Sequence, residues 1–493
     1  MVTVDHVKQR TDHFQIRRPR LRTRTRWRTV LIWGLGIGVG IAIGLDHGST
    51  PPSHAEMSLP TPLDPPTAVQ GQRWVSSHEI IVRSAPDHSA PVRGRIPATE
   101  PFSVVASIGL NGCTAPGWVE TEGNGFACIA GAKQTEEAPV RLPRLVRFVH
   151  PDPAEWDTYN STMTYDTDPV DRIDAMVPFI YAKRWGKWRG PNYSSAAAFE
   201  AGRPPSQRLG RGRKYHFVDS IQTDRGPVLQ RANGAVVPAS EVHIYPLTKF
   251  HGWDLDAEPI PADFLTAWAI DYEGTPVHTA PSHAAPVGTR LAYHTEVLVE
   301  DEPVDRAGHW WMMPNGLGPG VPGYVNDNDG IRHWAPSEPP DQIGSSQLWL
   351  DVDLDQQVLG LRRGSDLLFV TLISSGAPGT ATPRGIYAIQ DKSAWTDMAS
   401  RPDSDDPYYV EKVPWVMHFK KRYALHGTFW HWGFGHTASH GCINLSVQDA
   451  RWIFDRVSPS AHGGWQAAVA HKTDPGTVLR VRRGPGPVPD RRR

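Results

Sequence analysis

Short runs of alternating apolar and polar residues make up most of this chain, and Pro- or Gly-containing turns separate them. In the C-terminal third, for example, apolar residues recur at every second position through Leu348, Leu350 and Val352, and a turn signal follows at Arg363-Gly364. This period is typical of β-strands. Proline supplies 46 of the 493 residues, close to twice the usual share of about 5%. The pattern therefore predicts a mainly β protein.

One segment has the period of a helix. Ser446 can cap residues 447–457, in which apolar side chains recur at three- and four-residue spacing, and Asp449 lies three positions after the cap. This arrangement resembles a capping box and predicts an amphipathic helix that begins after Ser446.

A repeat relates two distant parts of the chain. Residues 82–96 and 277–291 share eight of fifteen residues at a constant offset, including His88 with His283, and each copy continues into short apolar and Trp-bearing strands. The two copies resemble bacterial Src-homology-3-like modules, small β-barrels that accompany cell-wall enzymes. We therefore expect such modules at residues 73–138 and 265–335.

The segment between the modules, residues 142–250, is aromatic and basic. An Asn233-Gly234 pair between apolar positions predicts a hairpin, so we expect a β or α+β segment that carries no catalytic constellation. Its basic residues can contact an anionic wall polymer or form a solvated loop. These residues are Arg208, Arg211, Arg213 and Lys214.

The N-terminal region differs from the rest. A basic leader at residues 1–28 precedes the apolar run 29–45, which at about 1.5 Å per residue reaches roughly 25 Å. The pattern predicts an N-terminal membrane-anchor helix in the inner membrane. Cleavage after Ala55 is the alternative, and both place the remainder outside the cytoplasm or in the periplasm. We expect a Pro/Ser-rich linker at residues 46–72 and a disordered basic tail at residues 485–493.

The three cysteines fit an exported protein. Cys113 and Cys128 lie in one β-rich segment and can pair in an oxidising compartment, or remain two buried thiols. Cys442 is left over and is a candidate reactive thiol. The formal net charge of −1 excludes a global field for polyanions, and no nucleic-acid-binding signature is present.

Residues 426–446 concentrate four histidines around Cys442. Their five- and four-residue spacing is unlike that of zinc ligands, the glycines prevent a helix that would align them, and no acidic residue intervenes. A buried turn would account for the aromatic residues. A cysteine followed by Asn444 and preceded by His440 and Gly441 is better explained as a nucleophile that a nearby histidine activates.

The segment Leu425–Ala450 closely resembles the catalytic motif of L,D-transpeptidases of the YkuD type, in which a histidine precedes a Ser-His-Gly-Cys-hydrophobic-Asn block. The resemblance extends over residues 345–484 and implies a β-sandwich-like catalytic domain. Papain-like and related wall peptidases place the cysteine before the histidine, whereas here His426 precedes Cys442.

The resemblance implies roles for individual residues. Cys442 is the nucleophile and His426 its base, His440 and Gly441 shape the oxyanion site, and Ser439 supports the loop. The group that orients His426 stays open between the Gly427 backbone and the Thr428 hydroxyl. Candidate substrate-binding residues are Tyr408, Tyr409, Trp415, Thr428, Trp430 and Asn444.

The implied function is cross-linking of peptidoglycan stem peptides by cysteine acyl transfer, without cofactor or metal. Two alternatives remain. An L,D-carboxypeptidase would use the same thiol with water as acceptor, and a wall-binding scaffold would carry a degenerate catalytic domain. The identity of the acceptor, any protein partner and the oligomeric state are not indicated by the sequence.

Overall fold

The computed structural model describes residues 67–138, 179–184, 190–210, 212–245, 248, 250–304, 309–400 and 407–484. Strands dominate these ranges, which confirms the mainly β prediction. The predicted leader, apolar run, C-terminal tail and most of the linker lie outside them. None of the helices in the described part of the chain has the length and apolar character that a membrane crossing needs.

The first module is an antiparallel sheet whose first strand starts at Thr67, so the linker ends earlier than its predicted bound of residue 72. His88 packs on Trp118, with ring centroids 5.0 Å apart, and a disulfide joins Cys113 and Cys128. The strands are β1 (Thr67–Val75), β2 (Ile80–Arg83), β3 (Val92–Ile96), β4 (Phe102–Gly109), β5 (Trp118–Thr121), β6 (Gly125–Cys128) and β7 (Lys133–Gln134).

The middle segment contains short strands and one helix of five residues. The predicted hairpin around Asn233-Gly234 is present, because β13 pairs with β14. The elements are β8 (Ile180–Arg184), β9 (Gly190–Asn192), α1 (Ala196–Glu200), β10 (Gln207–Leu209), β11 (Arg213–Phe217), β12 (Asp219–Ile221), β13 (Val228–Gln230), β14 (Val236–Pro238) and β15 (Val242–Ile244).

The second module consists of two small sheets, and β16 (Trp253–Asp254) precedes it. His283, the repeat partner of His88, packs on Trp310 with ring centroids 4.8 Å apart, so in both copies the repeated histidine contacts a tryptophan ring while remaining exposed. The strands are β17 (Phe264–Ala269), β18 (Thr275–His278), β19 (Val287–Leu291), β20 (Glu296–Glu300), β21 (Trp310–Met313), β22 (Gly323–Asn326) and β23 (Ile331–His333).

The C-terminal domain is a sandwich of two sheets. Its core combines residues of one sheet, such as Leu350 and Phe369, with residues of the other, such as Met417. The elements are β24 (Leu348–Asp353), β25 (Val358–Arg363), β26 (Asp366–Leu372), β27 (Gly385–Ala388), β28 (Asp391–Ala399), β29 (Tyr409–Lys420), β30 (Tyr423–Gly427), β31 (Ile443–Leu445), α2 (Val447–Arg456), β32 (Ala467–Val469) and β33 (Val478–Arg482).

One sheet of this sandwich continues into both preceding regions. On one side β32 pairs with β3 of the first module, and on the other β29 pairs in parallel with β11 of the middle segment. Trp465, just before β32, packs against Gly94 and Gly125, where any side chain would collide with its ring. The first module and the middle segment are therefore built into the C-terminal sandwich.

The helix α2 begins as its sequence predicts. The Ser446 hydroxyl accepts a hydrogen bond from the Asp449 amide at 3.0 Å, which confirms the capping prediction. The Asp449 carboxylate is fully buried and accepts bonds from the His251 ring and the Gly252 amide through Oδ1 and from Thr371 through Oδ2. Burial by itself lowers the pKa of His251, but the bond to Asp449 and nearby acidic charges raise it overall.

We expect Asp449→Ala to lower the free energy of unfolding by about 3 kcal/mol, because three buried donors lose their acceptor at once. Asp449→Asn is the matched control, since it keeps the shape and one acceptor oxygen and should lose less. Denaturant unfolding followed by Trp fluorescence measures both. A loss below about 1 kcal/mol for alanine would contradict this account of the network.

Candidate active site

Two adjacent parallel strands bring the candidate base and nucleophile together. In the β30–β31 pair His426 lies opposite Asn444, and Cys442 immediately precedes β31. Side chains two positions apart on a strand share a face, so His426, Asn444 and Cys442 lie on one face of the pair. From strand spacing and rise, the Cα atoms of His426 and Cys442 are about 8 Å apart.

His426 is buried, with 3% of its surface exposed. Its Nδ1 lies 3.1 Å from the Gly427 carbonyl oxygen and 3.4 Å from the Thr428 hydroxyl. A carbonyl only accepts, so Nδ1 carries the proton and Nε2 has the free lone pair. The pKa of His426 is lowered to about 4, mainly by burial. The charges of His431 and His418 also lower it, and the hydrogen bond to Gly427 acts in the opposite direction. The imidazole is therefore neutral at pH 7 and can accept a proton at Nε2.

Cys442 is half-buried and is the free cysteine among the described residues. Its thiol lies 3.7 Å from the Arg422 carbonyl oxygen, to which it donates. Burial raises the pKa of the Cys442 thiol, although a backbone hydrogen bond from Ala424 and the charge of Arg422 act in the opposite direction. The resting pair is thus a neutral thiol and a neutral imidazole.

The turn before Cys442 is held by its own side chains. The Ser439 hydroxyl donates to the Cys442 carbonyl at 2.5 Å and accepts from the Gly441 amide at 3.0 Å. Gly441 has φ +113°, and an added Cβ would come within 2.6 Å of the Tyr423 ring. Because the Gly441 amide is engaged by Ser439, it is not free to donate to an oxyanion in this conformation.

A second segment, residues 374–382, supports the same turn from outside. Thr380 donates to the Ser439 carbonyl at 2.9 Å and Thr382 to the Gly441 carbonyl at 3.0 Å. Ser374 exchanges two backbone hydrogen bonds with Asn444, each 2.9 Å long. The nucleophile therefore sits on a turn whose carbonyl groups are fixed by a neighbouring loop, which limits its positional freedom.

The remaining candidates near the thiol lie at the surface. His440 is exposed, and the Tyr408 ring lies 5.1 Å from it. Burial raises the pKa of Tyr408, and the charge of Cys442 adds to this. The hydroxyl of Tyr409 instead donates a hydrogen bond to the Asp397 carboxylate at 2.7 Å.

Three of the predicted substrate-binding residues have buried side chains. Trp415 is fully buried and packs against Phe454 of α2. Thr428 is also buried and its hydroxyl lies beside the His426 ring. Asn444 is buried as well, because β31 runs under the 374–382 segment.

Asn444 instead contacts a histidine to which the sequence assigned no role. His431 accepts at Nδ1 from the Gly433 amide at 3.2 Å, so its neutral ring carries the proton on Nε2. That nitrogen lies 2.9 Å from the Asn444 amide group. The Asn444 amide can be oriented so that its Oδ1 accepts a hydrogen bond from His431 Nε2. This orientation gives the buried Oδ1 atom a hydrogen-bond partner. Burial and then the charge of Lys214 lower the pKa of His431 to about 4, which keeps it neutral.

The loop between β30 and the Ser439 turn is fastened to the second module. The His436 ring lies 2.8 Å from the Ile270 carbonyl oxygen and stacks on Tyr272. The Tyr293 hydroxyl donates to the Phe434 carbonyl at 3.0 Å. The repeat in the sequence predicted the module but gave no sign of this contact, which connects it to the strands that carry His426 and Cys442.

The middle segment also reaches the site, although the sequence predicted no catalytic constellation there. Lys214 of β11 places its Nζ 5.5 Å from the centre of the Trp430 ring. The Trp430 ring also lies near His426, with ring centroids 5.7 Å apart. Trp430, a predicted substrate-binding residue, is partly exposed and contacts both this lysine and the candidate base.

Arg422 is the residue nearest the nucleophile that sequence reasoning missed. It ends the basic run Lys420–Arg422 in the turn between β29 and β30, and that run next to a strand leading to His426 was the available signal. Within the described ranges no three His, Cys, Asp or Glu side chains are grouped so that they could hold a metal ion.

Residues 347–481 match the sequence model of YkuD, the L,D-transpeptidase catalytic domain. A curated protein of Bacillus subtilis (strain 168), named "Putative L,D-transpeptidase YciB", is 25% identical over 139 residues, which cover 24% of this chain and 66% of that protein. The matched part is thus just under two thirds of that relative's length. Residues 347–481 are therefore similar in sequence to the L,D-transpeptidase catalytic domain.

Solved structures of the same name share lower identity. The catalytic domain of the Enterococcus faecium L,D-transpeptidase is 23% identical, with 28% of this chain and 98% of that chain covered and a TM-score of 0.23. The L,D-transpeptidase of Xylanimonas cellulosilytica DSM 15894 is 22% identical, with 30% and 65% covered and a TM-score of 0.21. The domain assignment rests on the sequence match.

Proposed function

We propose that this protein is a peptidoglycan L,D-transpeptidase that uses Cys442 as its nucleophile and His426 as its base. The proposal is supported by the β30–β31 register, in which buried His426 lies opposite Asn444, two residues after the free thiol of Cys442, inside the matched segment. A neutral pair suits a mechanism in which the proton moves as the sulfur attacks.

In the first half-reaction Sγ attacks the carbonyl carbon of the third residue of a tetrapeptide stem. The thiol proton passes to Nε2 of His426 and then to the leaving nitrogen, the C–N bond breaks, and the terminal D-residue departs as a free amino acid. A thioester remains on Cys442. The oxyanion needs backbone or side-chain donors other than the Gly441 amide, which bonds to Ser439, and exposed His440, two residues before Cys442, is available for substrate contact.

In the second half-reaction an amine of a neighbouring stem attacks the thioester carbon. His426 takes the amine proton, the C–S bond breaks and the thiol is restored, so the net result is an amide cross-link with no cofactor. Trp430 lies beside the base, and Tyr408, Tyr409 and Trp430 are the predicted substrate-binding residues that remain partly exposed.

The other regions fit a wall enzyme. We propose that the two repeats are Src-homology-3-like modules, that the N-terminal apolar run anchors the chain in the inner membrane, and that the enzyme works outside the cytoplasm. The repeated histidine–tryptophan packing supports a common origin of the modules, and the disulfide fits an oxidising compartment.

Product analysis tests the proposal. Purified protein incubated with disaccharide-free tetrapeptide stems is expected to release the terminal D-residue and to form cross-linked dimers that mass spectrometry detects. The Cys442→Ala variant is the control and should form neither product. Tripeptide without dimers would identify a carboxypeptidase, and absence of both products with every stem offered would favour the scaffold alternative.

A further inference from the structure

A cationic turn lies directly beside the candidate nucleophile. Lys420, Lys421 and Arg422 are consecutive in the turn between β29 and β30, and Lys421 adopts φ +49°, which reverses the chain. The turn touches the Cys442 segment twice. The Arg422 carbonyl accepts from the Cys442 thiol at 3.7 Å, and the Tyr423 ring packs against Gly441.

The Arg422 side chain is held in place while remaining exposed. Its Nη2 donates to the Ala399 carbonyl at 2.7 Å, which fixes the guanidinium against the end of β28. A guanidinium has five N–H donors, and this bond uses one. The charge of Arg422 acts on both Cys442 and Tyr408, lowering the pKa of each against the effect of burial. Because the Arg422 carbonyl oxygen lies 3.7 Å from the thiol, the arginine side chain starts from backbone that touches the sulfur.

The proposed reaction places an anion at this position. In the donor, three covalent bonds separate the scissile carbonyl carbon from the carboxylate carbon of the leaving D-residue, so the two atoms are at most about 4 Å apart. When Sγ contacts the carbonyl carbon, the terminal carboxylate must lie within a few ångströms of the sulfur. A planar guanidinium binds a carboxylate through two parallel hydrogen bonds.

We propose that Arg422 forms a carboxylate subsite that binds the free C-terminus of the leaving residue. This inference rests on the proposed transpeptidase function. The subsite selects donors that end one residue after the scissile bond, because an extra residue would move the carboxylate by about 3.6 Å. A site that binds another carboxylate of the stem would process donors with a terminal carboxylate and donors with a terminal amide equally well, whereas the Arg422 subsite would not.

The test compares two tetrapeptide donors, one with a free terminal carboxylate and one with a terminal amide, on the full-length protein. For each protein kcat/KM is measured by release of the terminal residue, and the ratio of free acid to amide is the readout. In Arg422→Gln this ratio is expected to fall about 30-fold relative to wild type. In Arg422→Lys the ratio should fall less, because lysine keeps the positive charge but lacks the paired N–H donors of the guanidinium.

Lys421→Gln is the matched control, since it removes the same charge from the adjacent position of the same turn, and its ratio should equal that of wild type. An unchanged ratio in Arg422→Gln overturns the subsite, including the case in which both donors slow equally because Arg422 only tunes the thiol. The subsite is also overturned if the ratio of free acid to amide falls as much in Lys421→Gln as in Arg422→Gln. That result would show that the positive charge of the whole turn, and not Arg422 itself, favours the carboxylate. If wild type processes neither donor and forms no carbapenem adduct, the proposed function itself fails.

Discussion

Replacing Cys442 by alanine is expected to abolish formation of a covalent acyl-enzyme and to reduce turnover of a tetrapeptide donor by at least about 10³-fold. The reason is that the thioester is the intermediate that links donor to acceptor. Cys442 is the free thiol in the described chain, since the other two cysteines form a disulfide. Intact mass spectrometry after incubation with a carbapenem measures the effect as one adduct on wild type and none on Cys442→Ala.

The Cys442→Ser variant tests whether the reaction needs the sulfur atom or only a side chain of similar size at this position. A serine keeps the size and the turn geometry, but its hydroxyl is a poor nucleophile beside an imidazole of such low pKa. We therefore expect a folded protein with little or no adduct. An adduct of full yield on Cys442→Ala would show that another residue is acylated and would remove the basis of the mechanism.

Replacing His426 by glutamine is expected to lower the acylation rate by about 10³-fold while leaving Cys442 in place. Glutamine cannot take a proton from the thiol, whose pKa burial raises. The pKa of His426 is about 4, so the base stays neutral down to that pH. The wild-type acylation rate should therefore hold as pH falls from 7 and decline only near pH 4, and the Gln variant should lack this decline.

Stopped-flow carbapenem acylation between pH 3.5 and 8 gives the profile, and circular dichroism at each pH monitors the fold. The folded pKa of His426 lies below the ordinary value of about 6.5, so protonation favours the unfolded chain. Stability is complete above that ordinary value and is lost as pH falls towards 4. A decline in rate centred near pH 6.5 with the fold intact would show that the base is an exposed histidine such as His440.

The sequence could predict what depends on neighbouring residues. The helix after Ser446 is predicted because its cap and its apolar spacing lie within one short segment, and the strands follow from alternation. The candidate cysteine and histidine are predicted from a motif that keeps them at fixed positions along the chain. In each case the signal is local, so no knowledge of distant partners is needed.

Which face of a strand a residue occupies was harder to predict, and Trp415 shows why. The β28–β29 pairing shifts register between Thr396 and Met398, and Trp415 itself has φ +55°. A bulge adds a residue and moves later side chains to the opposite face. Alternation counted from Tyr409 therefore gives no reliable face for Trp415, which ends in the core.

Contacts made across long sequence distances were also beyond prediction. Lys214 reaches Trp430 only because β11 pairs with β29, and His431 meets Asn444 only because the intervening loop folds back. Gly441 is predicted to shape the oxyanion site, but its amide donates a hydrogen bond to the hydroxyl of Ser439, two residues earlier. Such pairings are chosen by packing of the whole domain, which short patterns do not encode.

The pairing of β32 with β3 has a practical consequence for protein engineering. A fragment cut to residues 345–484 would lose β3 and leave the backbone of β32 with unpaired donors and acceptors, and it would uncover Trp465, which normally packs against the first module. Such an edge favours strand addition from another molecule. Expression trials of the excised domain should therefore yield aggregates more readily than trials that begin at residue 67.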